Sequence, residues 1–183
     1  MTRRSFVPHT LGLVFFLTSA ETSEMLAANM RSFNEAVRKN AAVVYVGSVK
    51  EVRMLQRTKF DIKTKAVVDL KAVARTPGNN PQQATIEYSS YDDKTPMLEG
   101  GPQYQLRPGI SVIVFADSFD AKIPPGYLVQ GTRQELLQRV DALRNALSKM
   151  SPDQLKVNEI TEDDRRVQMS LYEKLSASLR AAK

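Results

Sequence analysis

The chain has 183 residues, 42% of them hydrophobic, with 26 Lys and Arg against 20 Asp and Glu, one His, and neither Cys nor Trp. That length and apolar fraction suit one core-forming domain with appendages, and the missing cysteines exclude a disulfide framework, a thiol nucleophile and any Cys-ligated zinc or iron–sulfur centre.

The amino terminus reads as a secretory leader. Arg3 and Arg4 precede the apolar run Leu11–Leu17, and Thr18-Ser19-Ala20 offers small residues for cleavage after Ala20. The run falls far short of the ~20 apolar residues that span a bilayer, so no membrane span is expected once residues 1–20 are removed. Their removal lowers the formal charge from +6 to +4 and takes the only histidine, His9. A chain without His or Cys has no Ser-His-Asp or Cys-His hydrolysis and no imidazole-bound metal. The expectation is an exported protein, periplasmic or extracellular, that is not an enzyme and carries no cofactor.

Residues 21–40 hold Leu26, Met30, Phe33 and Val37 at helical spacing behind Ser23 and predict an amphipathic helix. From Ala41 the pattern turns to strands. Ala41–Val46 is continuously apolar, and Gly47 breaks the run before Val49, Val52 and Met54, as at a bulge. Phe60, Ile62, Thr64, Ala66, Val68, Leu70 and Ala72 then alternate with Asp61, Lys63, Lys65, Val67, Asp69, Lys71 and Val73, which predicts a strand with one buried face. Pro77–Pro81 makes a turn before the alternating Ala84, Ile86 and Tyr88; Pro108-Gly109 introduces Ile110–Ala116, and Pro124-Pro125-Gly126 introduces Tyr127-Leu128-Val129. Five strands in so short a stretch predict a small closed barrel or sandwich.

Three helix starts follow. Thr132 and Glu135 have the spacing of a capping box ahead of Leu136, Leu137, Val140, Leu143 and Leu147; Ser151 with Gln154 and Thr161 with Asp164 mark two more, the last leading into Val167, Leu171, Leu175 and Leu179. That stripe looks narrow, as of a helix that packs by one edge or meets a partner.

The segment Ala42–Val49, the alternating strand Lys65–Val73, Gly101-Pro102-Gln103-Tyr104 with Arg107-Pro108-Gly109, and Val112–Ala116 together resemble netrin-like modules, the OB-type barrels that include tissue inhibitors of metalloproteinases and many bacterial exported proteins. The resemblance covers about half the chain. It implies a five-stranded OB-type β-barrel with its packed helix over residues 41–150; with the helix read from spacing over 21–40 and a helical C-terminal extension over 151–183, the expected fold is α+β. It also implies export and protein–protein binding. The inhibitors' mechanism does not carry over, because it uses a cysteine at the mature amino terminus, and the predicted terminus here is Glu21.

Charge supplies the one functional signal that residues give directly. Residues 48–76 carry Lys50, Arg53, Arg57, Lys59, Lys63, Lys65, Lys71 and Arg75 against Glu51, Asp61 and Asp69, whereas residues 77–131 are net acidic. Lys63, Lys65 and Lys71 share the wet face of the alternating strand, so Arg53, Arg57, Lys59, Lys63 and Lys65 are the candidate contacts for an anionic partner, weighed against a solvated strand whose charges discourage edge pairing. Tyr88, Tyr91 and Tyr104 are candidate aromatic anchors. Tyr45 and Phe60 fall in apolar phases and read as core. Asp92-Asp93 with Glu99 reads more simply as an acidic turn than as a carboxylate pair or a calcium loop. The expected partner is another protein or an anionic polymer such as an acidic glycan; an exported protein seldom meets nucleic acid.

Overall fold

The computed structural model describes residues 41–95, 104–123 and 127–181. The leader, the helix expected over 21–40, Glu99, Gly100-Gly101 and the turn Pro124–Gly126 lie outside them.

Six strands and three helices follow in order: β1 (Val43–Arg57), β2 (Ile62–Arg75), β3 (Gln83–Ser90), β4 (Ser111–Ala116), β5 (Asp120–Lys122), β6 (Leu128–Gly131), α1 (Arg133–Lys149), α2 (Pro152–Val157) and α3 (Glu162–Ala181). They form one six-stranded sheet in the order β5-β3-β2-β1-β4-β6, antiparallel throughout except for the parallel β3–β5 pair. The α+β class is as expected; the closed five-stranded barrel is not. The stretch that would close it is divided. β5 is bonded to β3 and β6 to β4, with Pro124-Pro125-Gly126 between them, where two prolines carry no N–H for a ladder. Among the described residues no ladder joins β5 to β4 or β6.

The sheet nevertheless curls. Ala116 pairs with Val43 at one end of β1, while Asp120 lies level, through Thr85 and Val67, with Glu51. In a flat sheet those two positions would stand on the order of 30 Å apart. The chain from Ala116 to Asp120 reaches at most about 14 Å, so the two edges must be rolled toward each other.

Curling gives the sheet a concave and a convex face, and each has its own core. The concave side buries Val43, Tyr45, Val49, Ala66, Val68, Ala84, Ile86, Tyr88, Val112, Val114 and Leu128. On the convex side Val44, Val46, Ala74, Ile113 and Phe115 meet Leu136, Val140, Leu143 and Leu147 of α1 and Leu171, Tyr172, Leu175 and Leu179 of α3. The unbroken apolar run of early β1 follows from this, since alternate residues enter different cores. Gly47 permits the close approach of β2: a Cβ there would overlap Val68 Cγ1 and stand 2.8 Å from the Asp69 carbonyl oxygen. Pro108-Gly109 is a turn with Gly109 at φ 88°, closed by the Ile110 N–H on the Arg107 carbonyl.

The capping box at Thr132–Glu135 forms as expected, the helix start at Ser151 is a second one, closed with Gln154, and Thr161 caps α3 with Asp164. The stripe of α3 is wider than its leucines suggest. Gln168, Tyr172 and Ser176 are also buried, Val167 is 49% exposed, and the helix packs on α1 and on β1 and β2. Ser176 Oγ and Arg180 both donate to the Asp141 carboxylate of α1, at 2.7 and 2.8 Å.

Candidate functional site

The basic segment occupies the half of the sheet that the helices leave bare. β4 accompanies β1 only as far as the Ser48–Ser111 pair, so from Lys50 to Arg57 β1 is an edge, bonded to β2 alone among the described residues. Its burial falls away at the same point: of these residues only Val52 is partly buried. Two register shifts, at Val49/Glu51 and Met54/Gln56, interrupt the edge, and Leu55 has no partner across the ladder. A bulged, charged edge is a poor template for another strand.

Register places the cations. Arg53 lies opposite Lys65, Lys65 opposite Glu87, and Glu87 opposite Lys122, so four strands contribute one rung on the convex face. Lys63 stands on the same face, opposite Ser89. Lys65 Nζ is 4.0 Å from the Glu87 carboxylate, an exposed pair of little energetic weight. The rung thus holds three cations against one carboxylate, and Arg53 and Lys65 face each other directly, an arrangement that costs a sheet stability.

Arg57 is separate from that rung. It lies opposite the buried Ile62 and donates to both carboxylate oxygens of Asp92 (3.1 and 2.5 Å) and to Thr95 Oγ1 (3.3 Å). Asp92 itself accepts the Lys94 and Thr95 amides, so Asp92–Thr95 is a turn built on its own carboxylate. The Arg57 guanidinium, with help from the two amides, lowers the Asp92 carboxyl to a pKa of about 2.

At the hairpin end, the Thr58 hydroxyl accepts the amides of Phe60 and Asp61. The Thr58 amide in turn donates to the Asp61 carbonyl, which leaves Lys59 and Phe60 at the apex. Lys59 Nζ sits 5.3 Å from the centre of the Phe60 ring. Phe60 is therefore not core: it is 58% exposed, because the turn ends the alternation and β2 begins only at Ile62.

The tyrosines divide. Tyr88 and Tyr104 are buried on the concave side, edge to face with centroids 6.1 Å apart, and Tyr104 Oη accepts the Leu128 amide. Burial raises the Tyr88 phenol to a pKa of about 12. Both are packing residues rather than anchors on an edge. Tyr91 is half-buried and, with Gln105, Arg107 and Gln130, lines a shallow cleft of about 380 Å³.

Sequence reasoning missed Lys122, whose place depends on a strand of three residues with no readable period, and the exposed Met54, Leu55 and Phe60. Among the described residues no group of His, Cys, Asp and Glu is arranged to hold a metal ion, and no helix is long and apolar enough to cross a membrane. No protein-family model matches the chain, and no curated protein matches it either.

Proposed function

We propose that the chain is an exported, non-enzymatic binding module on an OB-type, netrin-like sheet, and that it takes an acidic surface of another protein on the bare half of its convex face. The observation that carries this is the rung Arg53–Lys65–Glu87–Lys122 with Lys63 beside it. Placing two cations opposite each other costs stability, and an anionic partner removes that cost on binding.

Support for the OB-type reading comes from strand order. The β1–β2–β3 meander, β4 beside β1, and β5 parallel to β3 are the order of a five-stranded barrel opened along one seam. OB barrels are partly open and bind through the face of strands 2 and 3 and the loops after strands 1 and 4. In this chain those parts carry Lys63 and Lys65 on the face and Lys59 in the loop. Export rests on the leader-like pattern of residues 1–20.

The test is retention on immobilised poly-glutamate, standing for an acidic protein surface, and on heparin, standing for an acidic glycan. Retention on poly-glutamate should fall steeply as salt is raised and be lost in the Lys63→Glu/Lys65→Glu variant. Retention unchanged by that reversal overturns the proposal, and retention on heparin alone replaces the protein partner with an anionic polymer.

A further inference from the structure

Five large apolar side chains are exposed among the described residues, and three of them, Met54 (55%), Leu55 (47%) and Phe60 (58%), lie within one hairpin end; Val157 and Val167 stand on separate helices. Folding does not account for the cluster: Met54 stays in water although its ladder partner Thr64 is buried, and Phe60 stands exposed in the turn before β2 begins at Ile62. Cations surround it: Arg53, Lys59 and Lys63 are exposed, and Lys59 lies over the Phe60 ring. The nearby carboxylates offset little of this charge. Asp92 is held by Arg57, which leaves Glu51 and Asp61 against Lys50, Arg53, Lys59 and Lys63 at this end.

We infer that this hairpin end is a membrane-surface contact, with Phe60, Leu55 and Met54 entering the headgroup–acyl boundary of an anionic bilayer while Arg53, Lys59 and Lys63 meet lipid phosphates. This goes beyond the acidic-protein partner proposed for the convex face: it shares Arg53, Lys59 and Lys63 with that reading and adds the exposed Met54, Leu55 and Phe60, which an acidic protein surface does not call for. An anionic bilayer satisfies both halves of the surface at once, apolar insertion and cation attraction. An acidic glycan would use the cations and leave three apolar side chains in water. A single-stranded nucleic acid calls for several aromatic platforms along a groove, and this end offers one ring on a hairpin apex. An added peptide strand meets the bulges at Val49/Glu51 and Met54/Gln56.

The chain has no tryptophan, so a single introduced indole reports only on its own position. The Phe60→Trp protein is mixed with phosphatidylglycerol vesicles and, separately, with phosphatidylcholine vesicles; Val157→Trp, at an 82% exposed site on α2, serves as the distant control. Phe60→Trp emission should shift to the blue with phosphatidylglycerol only, be quenched by acyl-chain-brominated lipid, and return to its aqueous position at high salt. Val157→Trp emission should stay aqueous throughout. In a sedimentation assay of the otherwise unaltered chain, Leu55→Ser/Phe60→Ser should weaken vesicle binding by about tenfold or more. An unshifted Phe60→Trp spectrum, an equal shift at Val157, or a shift produced by single-stranded oligonucleotide or poly-glutamate instead of vesicles overturns the inference. A Lys65→Glu/Lys122→Glu reversal touches only the convex rung and Leu55→Ser/Phe60→Ser only the hairpin end, so loss of poly-glutamate retention in the first and of vesicle binding in the second let the two proposals fail separately.

Discussion

β1 is one strand with two fates. Val43–Val49 has a ladder on each side, β2 and β4, and a core on each face; Lys50–Arg57 has one ladder, no helix over it, and bulges along its free edge. Composition follows coverage. The first half is Val, Tyr and Gly with a single Ser, and the second mixes Lys, Arg, Glu and Gln with Val52, which packs against the concave core, and with Met54 and Leu55, which find none. The helices explain the boundary: α1 and α3 bury the convex side at Val44, Val46, Ile113 and Phe115 and end their cover before the Arg53–Lys65 rung. Stability is therefore concentrated in the first half, and the second is free to carry charge that folding would not choose.

The largest effect that would sharpen this contrast compares two aromatic residues of one hairpin. Tyr45, fully buried against Phe119 and the concave core, should cost about 3–5 kcal/mol when truncated to Ala. Phe60→Ala, in the bare half, should change stability by no more than about 0.5 kcal/mol. Denaturant midpoints measure both, and equal losses would mean that the bare half also packs. Next in size is Gly47→Ala. Its methyl would meet Val68 and the Asp69 carbonyl, so the β1–β2 approach must widen, at about 1–3 kcal/mol. The same change at Gly78, where nothing lies within 4 Å of the added carbon, should be close to neutral.

The same division separates what the sequence discloses from what it hides. Thr132 with Glu135, Ser151 with Gln154, and the leucine spacing of α1 are local chemistry, and each forms where the spacing places it. Early β1 and the Ile62–Val68 alternation are equally plain, because burial on two faces or one leaves a period in the residues. The rung across four strands is a different kind of fact. It depends on bulges in β1 and β2 that shift register, and on a three-residue β5 held by β3 alone. No window along the chain contains that information. Phe60 was misleading for a related reason: it sits two residues before Ile62 in the right phase, but the turn closed by Thr58 ends the strand between them. Tyr88 and Tyr104 carry the composition of anchors and serve as core, since the curl of the sheet encloses them.

A smaller effect tests how the bare half is tied at its end. The folded-state pKa of Asp92 is lowered to about 2 from an ordinary value of 3.8, so its ion pair with Arg57 contributes stability that is fully present above the unfolded value and is lost as pH falls through the folded one. Melting temperature followed on acidification should drop between roughly pH 4 and pH 2. Asp92→Asn should start lower at neutral pH and lose less over that window. An identical acid slope in the two proteins would assign the drop to other carboxylates.

The smallest effect bears most directly on why the cations are there. Arg53→Glu would give the rung alternating signs from β1 to β5, turning the direct Arg53–Lys65 opposition into an attraction. A sheet selected only for stability would already have that arrangement, since an opposite-charge pair in place of a like-charge one is worth about 0.2–1 kcal/mol. The variant should therefore be slightly more stable than the original by denaturant midpoint while its retention on poly-glutamate falls. Opposite movement of the two measurements is the signature of charge kept for a partner at a cost to the fold. If both measurements fall together, Arg53 contributes to the sheet itself and the rung is structural; if stability rises with retention unchanged, the partner contacts lie on Lys63, Lys65 and Lys122 alone.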